Sequence, residues 1–229
     1  MSAGDELADF DAVDEVRAGR KIMNSNSHAL AAQLRAAGAE PVDLGIAADT
    51  AASVRDALGR AADCDGVIST AGVSVGDHDQ VKRALDESGF SRVFWRVRIR
   101  PGSPMTFGTL DGRPFWGLPG NPVSAMVTFE VFVRPAIRKM AGHAILHRPR
   151  ISVRAADDMS SPEDLTHYFR VRLSRDQAGG IEAALTGPQG SGILMSMVQG
   201  HGFAVVPAGV TMIRAGDPVD VILLGDIPS

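Results

Sequence analysis

Apolar residues recur with a helical period over residues 27–37, where Leu30, Leu34 and Ala37 share one face, and again over 50–62, where Val54, Leu58 and Ala61 do so. Between and after these runs stand short stretches of strand length, 41–45 and 66–70. Helix alternating with strand predicts an α/β doubly wound fold, each helix laid against a parallel sheet, and Gly38 ends the first helix. A further helix is expected over 80–87. The pattern then turns to strand over 93–99, 105–110 and 113–118, and Asp111-Gly112 is a hairpin signal that gives the sheet an antiparallel portion. A long apolar helix over 123–140 closes these layers; Pro122 falls in its first turn, where a missing N–H costs nothing, and Asn121 stands at its N-cap.

Beyond Gly142, His143 and the Arg148-Pro149-Arg150 segment, the runs shorten to 151–155, 168–174, 181–185, 203–206 and 219–224. Gly-Pro, Gly-Gly and Asp-Pro turns space them. They predict a small all-β domain of barrel type, with one short helix over 191–198. Two domains are therefore expected, 1–145 of α/β type and 146–229 of β type. Met195, Met197 and the other methionines fit core filling. The N-terminus departs from the pattern, because Met1-Ser2-Ala3 is too short for the central strand that a first ligand loop normally follows, so a strand is expected to be missing. Residues 8–21 carry seven charges and predict a solvated loop.

Composition narrows the class without naming it. The 229 residues are 45% hydrophobic and 22% charged, as in an ordinary soluble globular protein. A net charge of −4 supplies no global basic field for nucleic acid or an anionic membrane, so any anion must be held locally. Cys64 stands alone, which excludes an intramolecular disulfide and a cysteine-based zinc site and fits a reducing cytoplasm. The six histidines show no helical metal-binding pair. The most apolar stretch, 123–133, is far shorter than a membrane span.

Two loops carry the candidate chemistry. Gly72, Ser74, Gly76, Asp77, His78 and Asp79 lie between strand 66–70 and helix 80–87; the glycines allow close backbone approach, the hydroxyl and free helix amides suit an oxyanion, and the carboxylates suit a divalent cation. In the second loop, Gly117-Leu118-Pro119-Gly120-Asn121-Pro122-Val123-Ser124, two prolines and two glycines fix the backbone, and Ser124 brings a hydroxyl to the first helical turn.

With Gly4-Asp5-Glu6-Leu7, Asn24-Ser25-Asn26 and Arg100-Pro101-Gly102-Ser103-Pro104, these loops occur in the order seen in the MoeA-type molybdopterin molybdenumtransferases, relatives of the gephyrin E domain, which this chain resembles. The likeness continues through His167-Tyr168-Phe169-Arg170, Gly190-Ser191-Gly192-Ile193-Leu194, Ala204-Val205-Val206-Pro207 and Gly216-Asp217-Pro218-Val219, nearly the whole chain. It implies a three-layer α/β/α molybdopterin-binding domain followed by a barrel-like domain. It also implies a cytoplasmic homodimer acting on adenylylated molybdopterin and molybdate with Mg²⁺ and releasing AMP. In full-length members further domains precede the Gly4-Asp5-Glu6-Leu7 loop.

Carried over residue by residue, the resemblance makes Asp79 and Glu6 the carboxylates for metal or water, with Asp5 and Asp77 beside them. Gly72, Ser74 and Gly76 would hold phosphate or pterin. Pro119, Asn121, Pro122 and Ser124 would frame molybdate, and Arg100 would neutralise it. Ser103 departs from the lysine frequent in relatives and removes a positive charge from that loop; Ala71 stands where glycine is usual. The nearest enzymatic alternative, a molybdopterin adenylyltransferase, has a different glycine loop and lacks the second loop and the β-rich tail. A non-catalytic dimeric scaffold or ligand-binding fragment is the alternative of another class.

Overall fold

The computed structural model describes residues 1–71, 80–176 and 179–227. The first half runs β1 (Ser2–Ala3), β2 (Leu7–Ala8), a 3₁₀ turn (Phe10–Ala12), α1 (Val13–Arg17), β3 (Ile22–Met23), α2 (Ser25–Ala37), β4 (Ile46–Ala47), α3 (Ala51–Gly59), β5 (Val67–Thr70), α4 (Gln80–Glu87), β6 (Ser91–Phe94), β7 (Ile99–Arg100), β8 (Thr106–Leu110) and β9 (Arg113–Leu118). A long helix follows, α5 (Pro122–Thr128), a π-helical segment (Phe129–Val133) and α6 (Arg134–Met140). The second half contains β10 (Arg150–Ala155), β11 (Met159–Ser160), β12 (Thr166–Arg175), β13 (Ile181–Leu185), α7 (Met195–Val198), β14 (Gly202–Val206), β15 (Met212–Ile213) and β16 (Pro218–Leu223).

The first sheet has the order β4-β1-β5-β9-β8-β6. β4, β1, β5 and β9 run parallel, and β8 is antiparallel to both β9 and β6, joined to β9 by the Asp111-Gly112 turn with both φ positive. Strand alternation sorts the core into two layers. Val67 and Phe115 face Val54, Ala57 and Leu58 of α3, whereas Ile68 and Trp116 face Leu30 of α2 and Phe129 and Ile137 of the long helix. The fold is thus three-layered, α/β/α, as the helical faces Leu30/Leu34/Ala37 and Val54/Leu58/Ala61 require. Burying each of these large side chains contributes roughly 1.5–3 kcal/mol.

The second sheet, β13-β10-β16-β14-β12, closes on itself through the β12–β13 pairing, a five-stranded barrel around Val153, Phe169, Val171, Ala204 and Val221. β7 leaves the first half to pair with β12, and Ile99, Val123, Val127, Tyr168, Met197 and Phe203 make a shared apolar seam between the two halves.

Several expectations are corrected. The first ligand loop does follow a strand: Ser2–Ala3, two residues long, fits between β4 and β5, the Met1 carbonyl accepting from the Thr70 N–H. Residues 8–21 form a 3₁₀ turn and a short helix instead of a loop, with Asp9 capping the former and Glu15 gripping Arg20. Strand 41–45 is displaced to Ile46–Ala47, because the Asp43 carboxylate binds the Gly45 N–H at 2.8 Å and turns the chain first. The run 93–99 splits between two sheets as β6 and β7. Helix 50–62 stops at Gly59 with Thr50 as N-cap, helix 123–140 contains a π turn, and helix 191–198 shrinks to one turn at Met195–Val198.

Candidate functional site

The C-terminal ends of the parallel strands open into a cleft of about 680 Å³ between the α/β layers and the barrel. Its walls include Glu6 and Leu7 after β1, Asn26 in the first turn of α2, Thr70 and Ala71 at the end of β5, Arg100 to Gly102, Pro119 to Asn121 with Ser124, and Gln189 to Ser191 from the barrel. A second hollow of about 800 Å³ lies against α2 and α6 and is lined by Leu30, Leu34, Val42 and Trp116; none of the candidates among the described residues lines it.

Local structure aims these groups. Thr70 donates its hydroxyl to Ser2 at 3.0 Å and Ser2 donates to the Asn24 side-chain oxygen at 2.9 Å, a buried chain that ties β5, β1 and the start of α2 beneath the cleft. Asn26 in the first turn of α2 donates to the Gly120 carbonyl at 2.8 Å and so locks the second ligand loop. The Glu6 carboxylate folds back over Gly4, whose missing Cβ leaves room for it. Gly102, at φ +111°, lets the Arg100–Pro104 loop lie on α5: a Cβ there would stand 2.5 Å from the Thr128 methyl.

Pro122 opens α5 and Asn121 holds the N-cap position, both as expected, but the Asn121 side chain makes no cap hydrogen bond. Its amide donates instead to the Ser191 hydroxyl at 2.9 Å, and the Ser191 carbonyl takes the free Val123 N–H at 3.1 Å, so the barrel supplies the acceptor. Arg170 holds the same loop from below. Its guanidinium, fully buried, donates to Ser196 at 3.2 Å, to the Gly190 carbonyl at 3.3 Å and to the Tyr168 carbonyl at 3.4 Å. Among the described residues no carboxylate pairs with Arg100 or Arg170. Burial draws the Arg170 pKa down to about 10. Buried beside both arginines, His167 is lowered to about 4, by loss of solvent first and by the Arg100 and Arg170 charges second. An arginine with no carboxylate partner among the described residues, hydroxyls and a helix start suit a compact oxyanion.

Of the sequence candidates, Glu6, Arg100, Pro119, Asn121 and Ser124 line this cleft. Asp5 is turned away, its carboxylate accepting the Asp49 N–H at 3.2 Å. Ser103 donates to the Val97 carbonyl at 3.0 Å and, with Pro122, stays out of the lining. Gly72, Ser74, Gly76, Asp77, His78 and Asp79 lie outside the described residues. Asn26, Gln189 and Ser191 stand in the cleft although no role was expected of them; only their place in ordered motifs, or three residues of barrel loop beside them, marked them out.

A doubly wound domain whose strand-end loops meet a small closed barrel over a cleft suited to an anion defines a ligand-binding α/β protein. Residues 1–139 match the family described as probable molybdopterin binding domain, and residues 152–224 match the MoeA C-terminal region (domain IV). The chain belongs to the MoeA-type molybdopterin-binding family. It is 37% identical to molybdopterin molybdenumtransferase of Nostoc sp. over 98% of its own length and 52% of that protein, and 31% identical to gephyrin of Dictyostelium discoideum over 99% and 36%. The crystal structure of the molybdopterin biosynthesis MoeA protein of Pyrococcus horikoshii superposes with a TM-score of 0.79 at 24% identity, covering 98% of this chain and 53% of that one, and shows the shared fold. The chain spans about half the length of the curated relatives it matches.

Proposed function

We propose that this chain acts in molybdenum cofactor biosynthesis as a molybdopterin molybdenumtransferase, holding adenylylated molybdopterin and molybdate side by side in the cleft. The observation that carries this reading is convergence: Glu6, Arg100, Asn121 and Ser124, from three separate motifs of the family, meet in one cleft, and no described carboxylate forms an ion pair with Arg100. Water attacks the adenylyl phosphorus, the phosphoanhydride bond to the pterin phosphate breaks, and AMP, carrying the water oxygen, and the phosphorylated pterin result. Two thiol protons then leave with one molybdate oxygen as water while the two dithiolene sulfurs bind molybdenum. In this scheme Arg100 and the Ser124 hydroxyl at the start of α5 hold the dianion, and Glu6 orients the attacking water.

Mg²⁺ is carried into the scheme from the family resemblance. A divalent cation takes several oxygen ligands. Among the described residues no group of three acidic, histidine or cysteine side chains gathers to hold one, and Glu6 is the sole carboxylate lining the cleft. Glu6 and Asp5 alone therefore do not make the site, and no step is routed through the metal; Asp77 and Asp79 lie outside the described residues. A cytoplasmic homodimer belongs to the same reading, and so does a division into domains at 145/146, which the two family ranges and the start of the barrel at Arg150 support. Among the described residues no helix is long and apolar enough to cross a membrane.

Calorimetric titration of adenylylated molybdopterin with molybdate, followed by an assay of AMP release, tests the proposal. Binding with molybdate-dependent AMP release is the expected result. Binding without release would convert the reading to a ligand-holding scaffold, and no binding would contradict it.

A further inference from the structure

We infer that Gln189 is a positioning residue for the cleft: its side-chain oxygen takes the Arg170 N–H where the β12–β13 pairing ends and thereby fixes the barrel-side wall against the start of α5. The inference rests on the cleft reading above for its ligand readout alone. β13 ends at Leu185, opposite Val171; beyond it the Thr186 N–H still donates to the Arg170 carbonyl at 3.1 Å, but the Arg170 N–H is not returned to the strand. There the Arg170 N–H donates to the Gln189 side-chain oxygen at 2.9 Å, and the Gln189 amide nitrogen donates back to the Arg170 carbonyl at 3.2 Å. The same nitrogen donates to the Gly187 carbonyl at 2.9 Å and to the Thr186 hydroxyl at 3.3 Å.

Thr186 donates to the Arg170 carbonyl from its hydroxyl as well, at 3.2 Å, so the group that depends on Gln189 is the Arg170 N–H. The next two residues hand the constraint on. Gly190 accepts from the Arg170 guanidinium, and Ser191 receives Asn121 on its hydroxyl and Val123 on its carbonyl. A side chain in the barrel is in this way linked to the cap of the helix that carries Ser124.

Replacing Gln189 by Glu sets an oxygen against the Arg170 and Gly187 carbonyls unless the carboxyl is protonated. The charged groups around it are the Arg170 guanidinium on β12 and, in the cleft walls, Arg100 and Glu6. Gln189→Met has nearly the same shape without the hydrogen bonds and keeps the test open if Gln189→Glu does not fold.

In Gln189→Met, the Val123 amide should exchange about tenfold faster than in the wild type while β14 amides keep their rates. Unchanged Val123 exchange would overturn the inference. Sulfate, a tetrahedral dianion whose charge is constant between about pH 5 and about pH 8, serves as the ligand probe. Gln189→Glu should bind it about tenfold more weakly than the wild type at the higher pH and approach it at the lower. A folded variant that follows the wild type at both pH values would also overturn the inference. Failure of the wild type to bind sulfate would instead contradict the cleft reading, and Val123 exchange would then decide the role of Gln189.

Discussion

Ala71 sits at φ +63°, at the end of β5 and against Gly120, in a conformation that costs an L-residue roughly 1–2 kcal/mol. In the sequence it stood out as an alanine where relatives carry glycine; whether that mattered depended on a backbone angle that no side-chain pattern encodes. Ala71→Gly should therefore stabilise the chain by about 1 kcal/mol, net of the extra freedom glycine gains when unfolded, as read by urea denaturation. A less stable variant would show that the site does not strain alanine. His167 gives a second residue-scale expectation. Its folded-state pKa, about 4, lies below the ordinary 6.5, so the unfolded chain binds the proton first and stability falls as pH drops through that window. The loss amounts to about 3 kcal/mol at the acid end. His167→Leu should flatten the stability profile between those two values, and an unchanged slope would assign the acid sensitivity to other groups. Ser103 shows the reverse of Ala71. A lost lysine looked like a lost anion ligand, yet the hydroxyl serves the Val97 carbonyl.

Elements with a strong period were legible, and their irregularities were not. The helical faces of α2 and α3 appear in the sequence because burial against one sheet imposes a 3.6-residue repeat, but the π turn at Phe129–Val133 leaves that repeat nearly intact. What marks it is Glu130, buried among apolar neighbours. Its carboxylate accepts from Arg148 at 2.8 and 3.2 Å and from Gln33 at 3.0 Å, with Arg134 at 3.8 Å. Arg148 in turn reaches the Leu224 carbonyl, so one carboxylate joins α2, the long helix, the connecting segment and the barrel. Glu130→Ala would leave two largely buried arginines uncompensated and should cost about 3 kcal/mol, measured by denaturant unfolding. A change below about 0.5 kcal/mol would show that Glu130 holds nothing together. The start of α5 was legible only in part: Asn121 is the N-cap residue, but the acceptor for the free Val123 N–H is the Ser191 carbonyl, from a loop distant in sequence.

For the molecule as a whole, the order of alternating helix and strand, the hairpin and the turn-spaced short strands were enough to anticipate an α/β/α unit followed by a barrel. Barrel closure between β12 and β13, the transfer of β7 to the second sheet and the two-residue β1 were not, since each depends on contacts between distant segments. The site followed the same division. Glu6, Arg100, Asn121 and Ser124 were identified from loop motifs, whereas Gln189 and Ser191 enter the cleft only because the seam of Ile99, Val127, Tyr168 and Phe203 sets the barrel on α5. Replacing Val127 by Asp would bury a charge without a partner in that seam and should unfold the chain or part the two halves, a change of several kcal/mol visible by calorimetry. A variant that melts with the wild type would deny the seam its role. The most direct test of the cleft as the molybdate site is diffraction from crystals soaked in molybdate, recorded at the molybdenum absorption edge. The expected result is an anomalous peak among Arg100, Asn121 and Ser124 that disappears in Arg100→Ala; a peak elsewhere with an empty cleft would contradict the proposed function.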